Sequence, residues 1–181
     1  MRFLFIAPVP RGTAGEDRRS AAEENTAEEC ASLLREGVIG VAAGSAAMVA
    51  MTGVLLGGVA VGALDPAPIA GLAAIVGFGE NRLAGYVLLS AAGVVLWPSL
   101  FVAIGERVPG QSASLRRLSF GTVMWSGFVL AFRTGQTGST LALYAVLTLL
   151  AHWAYGFVLG AAFELLAERM ADFDIENLPF V

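Results

Sequence analysis

The chain has no lysine, one cysteine and one histidine in 181 residues, and only 14% of its residues are charged. Each shortage excludes something. A typical soluble domain is about a quarter charged, so this scarcity of charge, beside 56% hydrophobic residues and a mean hydropathy of +0.72, excludes an ordinary soluble globular protein. The same composition excludes a disordered chain, which needs low hydrophobicity and dense charge or proline. Cys30, standing alone, excludes an intrachain disulfide and a multi-cysteine metal site within one chain. All eleven basic residues are Arg, against fifteen acids and a pI near 5.0. With no concentrated basic face to hold phosphates, nucleic acid is not an expected partner. What remains is a small integral membrane protein whose first partner is the lipid bilayer.

The charges that are present fall mostly outside long apolar runs. Residues 1–37 carry five Arg and seven acids from Glu16 to Glu36 and read as an acidic cytoplasmic arm. The apolar start Phe3–Ala7 is shorter than the roughly 7 to 15 residues of a signal-peptide core. Ser20 with Glu23 fits a capping box, and Ala27, Cys30, Ala31 and Leu34 recur at helical spacing, predicting a short amphipathic helix that begins at Ser20.

Val38–Leu64 is 27 residues without a charge, longer than the roughly 20 needed to cross the hydrocarbon core, and predicts a first span over 38–64. Leu83–Gly105 predicts a second over 83–105, kinked by Pro98. A third over 114–134 has arginines near both ends that must snorkel, and Leu141–Phe163 supplies the fourth over 141–163. Asp65-Pro66-Ala67-Pro68 separates the first two spans and predicts an Asp65-capped interfacial helix starting at Pro66 and ended by Gly77 and Gly79. Its apolar stripe is Ile69, Leu72, Ala73 and Val76. The expected fold is therefore all-α and polytopic. Its transmembrane domain is 38–170, followed by a tail at 171–181. With four spans, nine arginines fall on the side of the termini and two (Arg82, Arg133) on the other, which places both termini in the cytoplasm of a cell-membrane protein. Met51–Leu56 is echoed by Trp125–Leu130, and Tyr86–Trp97 can be laid over His152–Phe163, so two helical hairpins in one orientation are expected.

His152 stands at the centre of Leu141–Phe163, where a polar ring needs a partner. Three readings are open: a neutral imidazole bonded to a hydroxyl or carbonyl of a neighbouring helix, a proton or ion relay, and haem ligation. Haem would need Met48, Met51, Met124 or a second chain as the other ligand, and the expectation is no cofactor. Tyr155 and Trp153 flank His152 in depth and are candidates for its hydrogen-bond neighbour. Helix packing is expected at Gly40, Gly44, Gly53, Gly57, Gly58, Gly62, Gly156 and Gly160, all in Gly-x-x-x-Gly pairs that let backbones approach closely. Two faces of the first span are small: Gly40, Gly44, Ala47, Met51, Gly58 and Gly62 on one, Ala42, Ala46, Ala50, Gly53 and Gly57 on another. Arg133 and Glu164 end their spans on opposite sides and read as snorkelling anchors. No catalytic triad, paired carboxylates or metal cluster is visible, so neither catalysis nor a bound metal is expected.

The Gly- and Ala-rich span ending near Met51-Thr52, the Asp65-Pro66 turn into a short apolar helix, and His152-x-x-Tyr155-Gly156-x-x-x-Gly160 together resemble an uncharacterised family of small four-helix membrane proteins common in haloarchaea. The resemblance covers about Gly37 to Glu168, and its motifs have low specificity. A His often stands in that family where this chain has Tyr86, which weakens a two-histidine cofactor site. Some members look like neighbours of respiratory oxidase components, which implies an accessory-subunit role. The expected function is a non-enzymatic scaffold or accessory subunit that contacts other membrane subunits or itself. The alternative is a small oligomeric transporter or channel with His152 in its path. Hydroxyls of Ser45, Thr52, Ser90, Thr122, Ser126 and Thr148 gathered with His152 on one inward face would favour transport; scattered hydroxyls would favour the scaffold.

Overall fold

A computed structural model of the chain describes residues 13–104 and 107–171. Among these residues the protein is all-helical, without strands: α1 (Thr13–Ala60), α2 (Ile69–Ile75), α3 (Arg82–Ile104), α4 (Ala113–Ala131) and α5 (Gly138–Ala171). The first twelve residues of the expected arm and residues 172–181 of the expected tail lie outside the described residues. The chain divides into two compact units, 1–35 and 36–181. In the first, residues 21–35 are helical and exposed throughout, the Ala27, Cys30, Ala31 and Leu34 stripe included. The second unit holds the core.

Ser20 does not start a helix. It lies within α1, because no proline interrupts the chain between Thr13 and Ala60 and the helix continues through the expected cap. The first span also ends earlier than expected. Gly62 adopts φ +71°, Ala63 N–H bonds the Gly58 carbonyl at 2.9 Å and Gly62 N–H bonds that of Val59 at 3.0 Å, a Schellman arrangement that only a residue tolerant of the left-handed region closes cheaply. The same device ends α2, with Gly77 at φ +89° and Phe78 N–H on the Ala73 carbonyl. Asp65 caps a turn and not α2: its Oδ1 accepts from Ala67 N–H, and the helix begins two residues further on, with Pro68 at its N-cap. Of the α2 stripe, Ile69 and Ala73 are buried and Val76 is exposed.

Three helices are long and apolar enough to cross a bilayer: α1 over Ala21–Ala60, α3 over Arg82–Ile104 and α5 over Gly138–Met170. They mark the chain as a membrane-embedded protein. Helix α4 has 19 residues, opened by Ser112, whose Oγ accepts from Leu115 N–H. Arg116, Arg117 and its hydroxyl side chains keep it from being equally apolar.

Since lipid tails are as apolar as leucine, helix association rests on close packing and interhelical hydrogen bonds. The core follows that rule. Ala43, Ala47 and Met51 of α1 meet Phe120 of α4 and Ala151, Tyr155 and Leu159 of α5, all buried. Helices α4 and α5 run antiparallel along one seam: Val129 faces Tyr144, Trp125 faces Thr148, Gly121 faces His152 and Arg117 faces Gly156, one number falling by four as the other rises by four. On the other side α1 crosses α3, with Gly40 against Pro98 and Gly44 against Gly93 and Val94. Helix α2 lies on the start of α3, where a methyl group on Gly85 would strike the Ile69 carbonyl.

Candidate functional site

His152 is buried (2% exposed) and sits against the Phe128 ring at 4.9 Å between centroids. Its Nδ1 lies 2.7 Å from the Thr148 carbonyl oxygen, one turn earlier in α5. A carbonyl can only accept, so Nδ1 carries the hydrogen and, in the neutral ring, Nε2 is left as an acceptor. The expected neighbours are otherwise engaged. Trp153 Nε1 donates to Thr122 Oγ1 at 2.9 Å, and the Tyr155 hydroxyl donates to the Gly93 carbonyl at 2.5 Å. The partner of His152 is thus a carbonyl of its own helix and not a group on a neighbouring one. Thr148, fully buried, also accepts from Trp125 Nε1 at 3.1 Å and donates to the Tyr144 carbonyl at 2.7 Å.

The Tyr155 bond originates in Pro98. Proline lacks an N–H and its ring collides with the carbonyl one turn back, so a regular α-helix cannot pass through it. Helix α3 responds with a π-helical segment, Ala92–Leu96, in which Trp97 N–H reaches back to the Ala92 carbonyl. Carbonyls just before Pro98 lose their normal donors, a costly state in the absence of water. Tyr155 supplies one to Gly93 across the bundle. Glycine at 44 lets α1 close over the same place, because a methyl there would lie 2.5 Å from the Pro98 ring and 2.8 Å from the Val94 oxygen.

The bundle leaves a partly open cavity of about 630 Å³, lined mostly by α3 and α4 with residues of α1, α2 and α5. Met51, His152 and Tyr155 line it together with Trp97, Phe120, Met124, Phe128 and Arg107. It brings His152 together with two of the three methionines considered as haem ligands; the third, Met48, packs instead on Gly93. Helices α3 and α4 touch at one end, where Phe101 and Phe120 meet edge to face at 5.2 Å.

The expected packing glycines separate into groups. Gly40 and Gly44 face α3, and a methyl on Gly58 would lie 3.7 Å from Leu147 of α5. Gly53 and Gly57 are exposed with open space around them. Gly62 is a helix terminator. Gly156 and Gly160 form a track for Arg117: a methyl on Gly156 would lie 2.5 Å from the Arg117 carbonyl oxygen, and one on Gly160 would collide with the Arg117 side chain. That side chain, almost wholly buried, runs along α5 to an ion pair between its Nη2 and Glu164. Glu164 is therefore more than a surface anchor, whereas Arg133, at the other end, caps a loop by donating to the Gln136 carbonyl. No local pattern of charge pairs Arg117 with Glu164, 47 positions apart. The signal for the pair is the continuation of the glycine spacing by one more step of four, from 156 and 160 to an acid at 164.

With this geometry in view, the Family of unknown function (DUF6789) matches residues 34–172. The chain belongs to that family. No curated protein and no solved structure matches it.

Proposed function

We propose that this family member is a four-span bundle of two helical hairpins in the cell membrane, with both termini cytoplasmic, and that it acts without catalysis as a scaffold or accessory subunit of a membrane complex, respiratory in the first instance. The observation behind this reading is the unused small-residue face of α1. Ala42, Ala46, Gly53 and Gly57 are exposed, and among the described residues nothing comes within 4 Å of a methyl placed on either glycine. The opposite face of the same helix, built from equally small residues, is consumed by packing on α3 and α5. A second face of this kind suits a helix of another subunit.

The fourth span in this reading is α4. Its Arg117, which would be costly inside the bilayer edge, is neutralised by Glu164 of α5. Transport asks for hydroxyls gathered on one inward face. Ser45 of α1, Ser90 of α3 and Thr122 and Ser126 of α4 are exposed, and Ser45, Thr122 and Ser126 bond back to carbonyls of their own helix. That scattering supports the scaffold reading.

Native mass spectrometry of the tagged chain, gently extracted from its host membrane, tests the proposal. A stoichiometric foreign subunit is expected, lost in Gly53→Leu/Gly57→Leu while the bundle still folds. A lone monomer or a clean homo-oligomer overturns it.

A further inference from the structure

The Nε2 atom of His152, on a buried ring whose Nδ1 is held by the Thr148 carbonyl, is left as an acceptor. Tyr155 donates to the Gly93 carbonyl, Trp125 and Trp153 to the Thr148 and Thr122 hydroxyls, and Thr148 to the Tyr144 carbonyl. Among the described residues none donates to Nε2. No described residue thus explains why this nitrogen is kept as an acceptor.

The explanation lies in the cavity that His152 lines. Its about 630 Å³ falls within the roughly 300–1,000 Å³ range of small-molecule sites. Its walls are apolar and aromatic, with Trp97 and Phe120 lining it and Phe128 against the imidazole, and it is partly open. A molecule that fits these terms arrives from the lipid phase, has a flat ring for the aromatic walls, and presents one hydroxyl at the depth of His152. Its apolar tail leaves through the opening.

We propose that the groove binds a membrane-soluble phenol or hydroquinone with an apolar tail, whose ring hydroxyl donates to His152 Nε2. This inference is independent of the accessory-subunit reading, because the unused face of α1 plays no part in it. Thr148 is a positioning residue: its carbonyl holds the Nδ1 hydrogen and so keeps Nε2 free as an acceptor.

The test uses the full chain in lipid nanodiscs and two probes, a hydroquinone with a ten-carbon tail and its dimethyl ether, which has the same ring but no donor. Binding is read from quenching of Trp97, with Trp97→Phe as the blank. The wild type is expected to hold the hydroquinone at least tenfold tighter than the ether, since a site built around a hydrogen bond rejects the analogue that cannot make it. His152→Leu should abolish the preference and bind both probes alike. Gly127→Phe, which fills the cavity from an open position on α4, should weaken both probes without touching His152. Equal affinity of the two probes for the wild type, or no quenching beyond the blank, overturns the proposal. A Soret band in protein taken from its host membrane overturns it too, because haem iron would then occupy Nε2.

Discussion

The seam between α4 and α5 and the groove between α3 and α4 share a helix yet differ in kind. Along the seam, Gly121, Gly156 and Gly160 face the partner helix, and a methyl on any of them would meet backbone or the Arg117 side chain. The backbones close, and the gap between the helices vanishes. On the groove side the same α4 presents Phe120, Met124 and Phe128, and its glycine there, Gly127, has nothing within 4 Å. In a bilayer, closure thus depends on where small residues point, and hydrophobicity does not distinguish the two faces.

The seam should break most severely at Gly160. A leucine there must displace the buried Arg117 side chain from its track and separate it from Glu164. Overpacking costs about 1–3 kcal/mol and an unpaired buried charge more, though the half-exposed Glu164 softens the second effect. Gly160→Leu is expected to lose on the order of 3 kcal/mol by these measures, read as earlier unfolding in a reversible detergent titration, whereas Gly57→Leu on the open face of α1 should lose little. Comparable losses at both positions would mean that the seam is not the tighter contact.

Much of this arrangement could be read from the residues, and its failures have physical causes. The C-terminal end of α2 was legible because glycine, as at Gly77, takes the left-handed conformation that closes a helix at little cost, and His152 stood out because polar rings are rare at that depth. The Ser20 cap failed because a local capping signal competes poorly with an uninterrupted run of helix formers. The Arg117–Glu164 pair was hidden because an arginine beside a loop reads as a cytoplasmic charge, and only the antiparallel register places it against Gly156 and Gly160. Likewise Pro98 announced a kink, but the carbonyl it exposes and the hydroxyl that answers it lie on helices far apart in sequence.

That long-range bond gives a smaller effect that sharpens the comparison. Tyr155→Phe removes the only donor to the Gly93 carbonyl that crosses from α5, at a cost of about 1 kcal/mol, as measured for interhelical bonds within membranes. Pro98→Ala restores an N–H to α3, which relieves the π-helical segment and gives the carbonyls before it their own donor. In that background Tyr155→Phe should cost distinctly less, with a coupling of about 0.5 kcal/mol or more in a double-mutant cycle. Strict additivity would show that the proline and the tyrosine are unconnected.

The smallest effect comes from the groove wall itself. Gly127 and Gly121 lie on one helix, six positions apart, and differ only in what they face. A methyl on Gly127 meets open space, so Gly127→Ala retains every contact and gains the helical preference of alanine, up to about 0.5–1 kcal/mol. The same change at Gly121 puts a carbon 2.5 Å from the His152 carbonyl oxygen, and α5 must move away from α4 to admit it. Unfolding titrations of the two variants should therefore shift in opposite directions. Since both lose the same backbone freedom in the unfolded chain, a difference in sign can arise only from the folded bundle, and shifts of the same sign would mean that the space beside Gly127 is filled.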